Sequence, residues 1–302
     1  MSLSLTHLVL PDPPAAPSQG RKPSWLKMKM PAGEGYGKLK HLVDSHRLHT
    51  VCQSAKCPNL GECWNAGTAT LMILGDVCTR ACGFCNIATG KPPVLDLEEP
   101  QRVGDAVRIM NLGHVVITSV NRDELPDGGA GIWAETIREI RRQSPGTSVE
   151  VLIPDFCGDW SALQQVIDER PEILGHNVES VPRLYPQVRP QAKYRRSLDL
   201  LQIVKQQGLV SKTGMMLGLG EEEHEVEAVL DDLVAIGCEI LTLGQYLQPT
   251  VKHLPVVRWV APAEFQMWKQ RGEARGIRHV EAGPMVRSSY HAEKQVHAHA
   301  QA

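Results

Sequence analysis

Six of the eight cysteines in this 302-residue chain fall into two short triplets that differ in spacing. The first triplet is Cys52-x4-Cys57-x5-Cys63, and the second triplet is Cys78-x3-Cys82-x2-Cys85. Thiolates are the usual ligands of iron–sulfur clusters, so three clustered cysteines can hold three irons of a four-iron cluster. The remaining iron of each cluster then needs another ligand. The two spacings therefore predict two clusters with different tasks.

The charge balance excludes some classes of partner. Lysine and arginine total 32, aspartate and glutamate total 34, and the formal net charge is −2. This balance gives no reason to expect binding to nucleic acid or to an acidic membrane surface. The sequence has no run of about 18 apolar residues, so no transmembrane helix and no membrane partner are predicted.

The first residues predict a cytoplasmic protein, with a weak transit peptide as the alternative, which their prolines and scarce arginines disfavour. They lack the positive start and long apolar core of a secretory signal, and a short apolar piece over residues 3–10 ends at Pro11. In the cytoplasm, closely spaced cysteines bind metal or do redox work more often than they form structural disulfides.

Strand-like and helix-like segments alternate from about residue 70. The predicted strands are 70–75, 114–120, 149–154, 173–178, 212–220, 239–247 and 279–283. Helical periodicity marks residues 98–112, 130–143, 160–169, 195–207, 221–236 and 262–275. Alternating strands and helices form parallel β/α units, and about six such units fit a partial barrel or an open doubly wound sheet.

The chain divides into four parts. Residues 1–33 are rich in proline and glycine and predict a flexible lead-in. Residues 34–70 carry the first triplet as an extension, and residues 71–283 form the β/α body. Residues 284–302 form a C-terminal segment and tail.

The second triplet directly follows the first predicted strand of the body. The carboxyl ends of strands form the active-site rim of β/α barrels, so these thiols are expected at that rim. A structural zinc site is the alternative. Zinc sites usually combine a C-x2-C pair with a second pair or with histidines, which this triplet does not match.

The second triplet resembles the hallmark of the radical S-adenosylmethionine (SAM) superfamily. That hallmark is Cys-x3-Cys-x2-Cys with an aromatic residue before the last cysteine, the position of Phe84. The resemblance implies that Cys78, Cys82 and Cys85 bind a [4Fe-4S] cluster whose open iron chelates SAM and whose electron cleaves it. It also implies an α/β fold, a partial (β/α)6 TIM-type barrel with N-terminal and C-terminal extensions that cover the barrel mouth.

Motifs along almost the whole chain resemble the lipoyl synthase family of that superfamily. They are RKPSWLK (21–27), HTVCQSAKCPNLGECW (49–64), CTRACGFC (78–85), RDELPDGG (122–129), HNVE (176–179), LGLGE (217–221) and GPMVRSSY (283–290), among others. The resemblance implies that Cys52, Cys57 and Cys63 bind an auxiliary [4Fe-4S] cluster. It also implies a fourth ligand from the Arg-Ser-Ser-Tyr motif, with Ser289 as the match and Ser288 as the alternative.

Other roles remain open for the serines and for the two leftover cysteines. A turn or a helix cap is the structural alternative for Ser288 and Ser289. Cys157 and Cys238 lie in predicted barrel elements. A lone buried cysteine usually behaves as a small hydrophobe, and both are expected to do so.

Five polar residues near strand ends and helix starts are candidates for binding SAM: Arg122, Asp123, Asn177, Glu179 and Arg195. The resemblance suggests the first two for the polar groups of SAM, with a solvated surface loop as the alternative. Capping, or satisfaction of a polar group in the core, is the alternative for Asn177. Arg195 could pair with a carboxylate of SAM or of a partner, or simply lie on the surface.

The resemblance also implies a reaction and its partners. Sulfur from the auxiliary cluster would be inserted at carbons 6 and 8 of an octanoyl chain on a carrier lysine. Such carriers are the glycine cleavage H protein and the acyltransferase subunits of 2-oxo acid dehydrogenases. A ferredoxin or flavodoxin reductant and an iron–sulfur carrier protein are implied as well.

Two competing functions remain. One is another sulfur-inserting radical SAM enzyme of the biotin synthase kind, disfavoured by the first triplet and the Arg-Ser-Ser-Tyr motif. The other is a two-cluster electron carrier, whose clusters would want more cysteine ligands than the sequence supplies.

Overall fold

The computed structural model describes residues 22–26, 33–65, 68–290 and 292. Most of the predicted lead-in and the tail from residue 293 onward lie outside the described residues. No helix in the described ranges is long and apolar enough to cross a lipid bilayer.

Ten strands are present in the described chain. They are β1 (His49–Thr50), β2 (Thr70–Ile73), β3 (Val77–Cys78), β4 (Ala88–Thr89), β5 (His114–Ser119), β6 (Ser148–Leu152), β7 (Ile173–Gly175), β8 (Val210–Leu217), β9 (Ile240–Gln245) and β10 (His279–Gly283).

Ten α-helices accompany them in the same residues. They are α1 (Glu34–Ser45), α2 (Val51–Ser54), α3 (Leu60–Asn65), α4 (Glu99–Met110), α5 (Ala130–Gln143), α6 (Trp160–Asp168), α7 (Tyr185–Val188), α8 (Tyr194–Gln206), α9 (Glu223–Ala235) and α10 (Pro262–Arg275).

Eight strands form one sheet in the order β1-β2-β5-β6-β7-β8-β9-β10. Only β1 runs antiparallel, pairing with β2, and every other neighbouring pair is parallel. Strands β3 and β4 form a separate parallel pair. The alternation predicted from the sequence is confirmed, since each predicted strand and helix of the body overlaps an observed one.

Apolar residues on one face of the sheet pack against the helices. Val115 and Ile117 of β5 join residues of α4 and α5 in one core cluster, and Leu241 and Leu243 of β9 join residues of α9 and α10 in another. Since side chains alternate along a strand, the residues between them face the other way. That inner face carries polar groups, including Glu150 and Lys212, whose carboxylate and ammonium lie 2.7 Å apart.

The segment after β10, residues 284–290, folds back over this inner face. Glycines make room for it: a Cβ on Gly244 would lie 2.1 Å from the Val286 carbonyl oxygen, and one on Gly214 would lie 2.9 Å from Ser288 Oγ. Asn59 Nδ2 donates to the Met285 carbonyl at 2.8 Å. The C-terminal segment therefore meets both the sheet and the residues around the first triplet.

Candidate functional site

The first triplet is carried by two short helices and the turn between them. Cys52 lies in α2, whose first turn is capped because Thr50 Oγ1 accepts a hydrogen bond from Gln53 N. The turn closes with a hydrogen bond from Cys57 N to the Cys52 carbonyl at 3.0 Å. Cys63 lies in α3. This compact local fold brings three thiols to one place.

The three thiols of the first triplet line a cavity of about 420 Å³. The opposite walls of this cavity, which we call the first cavity, come from the start of the sheet and from the C-terminal segment. They include Thr70, His114, Ser148, Arg287 and Ser289. Three cysteines from residues 52–63 and a serine more than 200 residues later in the sequence thus line one cavity.

The two serines of the Arg-Ser-Ser-Tyr motif face different partners. Ser289 lines the first cavity, and its Oγ accepts a hydrogen bond from Thr70 Oγ1 at 2.7 Å. Ser288 Oγ accepts from Asn177 Nδ2, also at 2.7 Å, and touches the inner face of the sheet near Gly214. Of the two alternatives, Ser289 is the one placed beside the thiols.

Burial keeps the thiols of the first triplet protonated in the absence of a cation. It raises the pKa of Cys52 and Cys57, and with neighbouring negative charges it raises the pKa of Cys63 to about 12. Metal binding displaces such protons, because the thiolate is the form that binds metal. Three soft sulfur donors and one hydroxyl in a shared cavity fit a four-iron cluster by donor chemistry.

The second triplet begins at the end of β3 and continues through a tight loop. Cys78 Sγ accepts hydrogen bonds from the backbone N–H groups of Arg80 at 3.4 Å and Asn121 at 3.3 Å. Burial raises the pKa of Cys82 to about 11. Burial, together with the charges of Cys82 and Cys78, raises the pKa of Cys85 to about 12. N–H donors to sulfur are typical of cluster-binding loops, where they tune the cluster.

Two ion pairs hold this loop to the body. Arg80 is 4% exposed and bonds both carboxylate oxygens of Asp123, at 2.7 and 2.9 Å. The same guanidinium bonds Asp155 at 2.6 Å, and Arg196 bonds Asp155 from the other side at 3.1 Å. Bidentate arginine–carboxylate pairs fix geometry as well as charge, so the loop between Cys78 and Cys82 is rigidly placed.

A loop after β9 covers the other side of the second triplet. Leu254 N donates to the Gly83 carbonyl at 3.0 Å, and His253 Nε2 lies 2.9 Å from the Cys85 carbonyl oxygen. Gly83 has little space, since a Cβ there would lie 2.8 Å from the Gln187 carbonyl. Phe84 packs at the edge of the core under this loop.

The residues predicted to bind SAM divide into two groups. Asn177 and Glu179 lie near the second triplet: Asn177 Nδ2 donates to Glu179 Oε1 at 3.1 Å, and the charge of Glu179 raises the pKa of Cys82 and Cys85. Burial raises the pKa of Glu179, against the opposing charges of Arg189 and Arg287.

The other three predicted SAM ligands have structural partners, and their SAM roles stay predictions. Asp123 is engaged by Arg80 as described. Arg122 is buried and donates to the carbonyls of Leu74 and Pro93, both at 3.0 Å. Arg195 is 70% exposed in its side chain and pairs with Asp199 one turn along α8.

One cysteine prediction is confirmed and one is wrong. Cys238 is buried, as expected of a small hydrophobe. Cys157 is exposed, because it sits at a positive φ of 55° in a 3-10 turn that turns its side chain toward Arg80 rather than into the core.

Several residues at the site were not predicted from the sequence: Thr70, Arg80, Arg287 and His253. Arg287 lines the first cavity, and the charges of Cys57 and Glu179 both act on its guanidinium. Within the described residues no three histidine, cysteine, aspartate or glutamate side chains are placed to hold a single metal ion. A four-iron cluster spans a larger volume than one ion, so its ligands stand around a cavity rather than a point.

A family model described as the radical SAM superfamily matches residues 72–233. A second, the N-terminal domain of lipoyl synthase, matches residues 15–57. A lipoyl synthase from Rubrobacter xylanophilus is 58% identical over 91% of this chain and 86% of its own length. The chain belongs to the lipoyl synthase family. Another member, from Chlorobaculum parvum, is 55% identical over 91% of this chain and 94% of its own.

Solved structures outside the lipoyl synthase family share the fold. HydG, a maturase of the [FeFe]-hydrogenase, superposes with a TM-score of 0.57 at 14% identity, over 84% of this chain and 57% of that one. At this identity the likeness shows the α/β fold with its mostly parallel sheet.

Proposed function

We propose that this chain inserts two sulfur atoms, at carbons 6 and 8, into an octanoyl chain amide-linked to a lysine of a carrier domain. Membership of the lipoyl synthase family supports the reaction class. The observation that carries the assignment to residues is the first cavity, which is lined by Cys52, Cys57, Cys63 and Ser289 together.

The second triplet is proposed as the SAM site. When bound there, a [4Fe-4S] cluster supplies the electron that cleaves SAM to a 5′-deoxyadenosyl radical. Cys78, Cys82 and Cys85 are its three ligands, and Phe84 packs beside them. Asn177 and Glu179 are proposed to bind SAM beside the second triplet, since the charge of Glu179 acts on Cys82 and Cys85. Arg122 and Asp123 are proposed for other polar groups of SAM, and Arg195 for a carboxylate of SAM or of a partner.

The first cavity is proposed as the sulfur-donor site. The cluster held by the first triplet and Ser289 is a substrate, because its sulfides become the sulfur atoms of the product. An unactivated C–H bond is too weakly acidic for acid–base catalysis to break it. The role of the protein is therefore to position the octanoyl chain and to exclude competing reactions. The Ser289 oxygen is a harder ligand for iron than a thiolate and should be displaced more easily. An easily displaced ligand suits a cluster that must open to give up its sulfides.

The sheet is proposed to curve into a partial (β/α)6 barrel over residues 71–283. Two contacts support this: Lys212 of β8 bonds Glu150 of β6 across β7, and the segment after β10 reaches Thr70 of β2. Residues 34–70 and 284–302 would be the extensions that close the barrel.

The proposed partners are the octanoylated H protein and acyltransferase domains, a ferredoxin or flavodoxin, and an iron–sulfur carrier that rebuilds the consumed cluster. A cytoplasmic location fits free, closely spaced thiols, since that compartment keeps them reduced.

Anaerobic reconstitution followed by addition of SAM, a reductant and an octanoyl-lysine peptide tests the function. We expect the peptide to gain two sulfur atoms by mass, and turnover to stop after a single product. A protein with both clusters intact that adds no sulfur would overturn the assignment.

Variants separate the two sites. Replacing the first triplet by alanine should keep formation of 5′-deoxyadenosine and abolish sulfur transfer, whereas replacing the second triplet should abolish both. A two-cluster electron carrier would make no 5′-deoxyadenosine in any form of the protein.

A further inference from the structure

Thr70 connects the amino-terminal half of the first cavity to its carboxyl-terminal wall. Its Oγ1 donates a hydrogen bond to Ser289 Oγ at 2.7 Å, across 219 residues of sequence. Thr70 is 5% exposed and lines the first cavity together with Ser289. Nothing in the reaction as described so far uses this hydroxyl.

The two partners are anchored very differently. Thr70 is the first residue of β2, and its backbone is in register with Val116 of the neighbouring β5. A β-branched side chain on a strand has few accessible rotamers, so its hydroxyl is held in place by the sheet. Ser289 lies in a turn after the last strand, closed by a hydrogen bond from Tyr290 N to the Arg287 carbonyl.

The two adjacent serines of this turn are held by hydrogen bonds from two different parts of the chain. Asn177 holds the Ser288 hydroxyl toward the inner face of the sheet, and Thr70 holds the Ser289 hydroxyl in the first cavity. The two hydrogen bonds have the same length. Together these two hydrogen bonds place the Ser289 hydroxyl, rather than the Ser288 hydroxyl, in the first cavity.

We propose that Thr70 is a positioning residue for the serine ligand of the first cluster, fixing Ser289 Oγ where it completes the three thiols of the first triplet. This inference rests on the proposed function. Groups that hydrogen-bond a metal ligand orient it, and their loss typically lowers metal affinity 10- to 100-fold. A donor to an oxygen that carries negative charge is also stronger than one to a neutral oxygen.

The test uses a chain in which Cys78, Cys82 and Cys85 are alanine, so that only the first site loads. In this background we compare the parent with Thr70→Val, which removes the hydroxyl and keeps the shape, and with Thr70→Ser, which keeps the hydroxyl. The readouts are the rate of iron loss to a ferrous chelator and the Mössbauer spectrum of the unique iron.

We expect Thr70→Val to lose iron about 10-fold faster, with an altered unique-iron signal, in line with the loss of a ligand-orienting group. Thr70→Ser should stay close to the parent. If Thr70→Val does not fold, Thr70→Ala compared with Thr70→Ser makes the same distinction.

Ser289→Ala and the double variant Ser289→Ala/Thr70→Val complete a double-mutant cycle. If Thr70 acts through Ser289, adding Thr70→Val to Ser289→Ala should change nothing further. An equal effect in both backgrounds, or no effect of Thr70→Val beside a clear effect of Ser289→Ala, overturns the inference. No effect of Ser289→Ala itself would instead overturn the serine ligand in the proposed function.

Discussion

His176 and Asp155 lie just beyond the ends of neighbouring strands, and both are buried, one as a neutral group and the other as a charged group. His176 bonds the Ile153 carbonyl and Ser197 Oγ, each at 2.9 Å, and burial lowers its pKa to about 4. Asp155 is also buried, but Arg80 and Arg196 outweigh burial and hold its pKa well below the usual range. The rim of the sheet therefore combines a neutral histidine with a charged carboxylate.

The buried histidine makes stability depend on pH. As the pH falls below 6.5, the ordinary pKa of histidine, the unfolded chain takes up a proton that folded His176 binds only near pH 4. Stability from this group is therefore complete above pH 6.5 and is lost between 6.5 and 4. We expect a loss of about 2 kcal/mol between pH 7 and pH 5 in urea titrations.

The His176→Gln variant should be less stable than the parent at pH 7. Its free energy of unfolding should fall less than that of the parent between pH 7 and pH 5. The exposed His224→Gln serves as the matched control and should follow the parent. A His176→Gln variant with the parent's full pH dependence would contradict the assignment of that dependence to this residue.

At the residue scale, chemistry-bearing side chains could be predicted where a motif carries them. The six triplet cysteines and Ser289 come from spacing and resemblance, and Ser289 does line the first cavity. The exposure of Cys157 could not be foreseen, because it depends on the local backbone direction. For Arg195 the sequence left a surface position open, and its ion pair with Asp199 agrees with that alternative. Thr70 escaped notice because a threonine in a strand looks like ordinary sheet composition.

At the scale of elements, the C-terminal segment depends on two glycines of neighbouring strands. Gly214 of β8 and Gly244 of β9 leave the inner face free where residues 286–288 lie. The space at Gly244 is the tighter of the two, and the obstructing atom is backbone. A side chain there can be accommodated only if the segment moves.

Gly244→Ala should therefore displace the segment that carries Ser289. We expect a loss of about 1–3 kcal/mol of stability from overpacking, together with faster iron loss from the first cavity, and retained formation of 5′-deoxyadenosine. Thermal unfolding and the chelator assay measure the two effects.

Gly37→Ala is the matched control. Gly37 lies inside α1, and among the described residues no atom lies within 4 Å of a Cβ built there. Alanine in a helix should stabilise the chain by about 0.5–1 kcal/mol. If Gly244→Ala behaved like Gly37→Ala, the packing of the segment against β9 would not matter for the site.

The main strands and helices could be predicted because their periodicity is strong and their breaks are marked by glycine and proline. The predicted and observed boundaries of α5 and α10 coincide. Strand β1 and the β3–β4 pair could not be predicted, since each strand has two residues and no period to detect. They exist because of tertiary pairing.

At the scale of the whole molecule, a buried ion pair ties together strands that are not neighbours. The side chains of Lys212 and Glu150 are 3% and 2% exposed, and β7 lies between their strands. Burial alone would raise the pKa of Glu150, but Lys212 and His114 outweigh it, and the pKa is lowered. The pair holds the sheet's inner face together below the C-terminal segment.

Lys212→Met should destabilise the fold by about 3–5 kcal/mol, because it leaves a buried carboxylate without its partner. Lys212→Met/Glu150→Gln should recover a large part of that loss. Lys205→Met is the control, since Lys205 pairs with Glu239 at the surface and should cost a few tenths of a kcal/mol. Urea titrations compare them, and equal losses in the single and double variants would exclude an uncompensated charge as the cause.

The contact between Thr70 and Ser289 also has a consequence for synthesis of the chain. A polypeptide emerges from the ribosome amino end first, and the first triplet is made more than 200 residues before Ser289. The cavity therefore gains its last wall only after more than 200 further residues have been added to the first triplet. A nascent chain that has not reached Ser289 would present three thiols without their closing hydroxyl, so this site can be completed only after the strands and helices between its two halves have been synthesised.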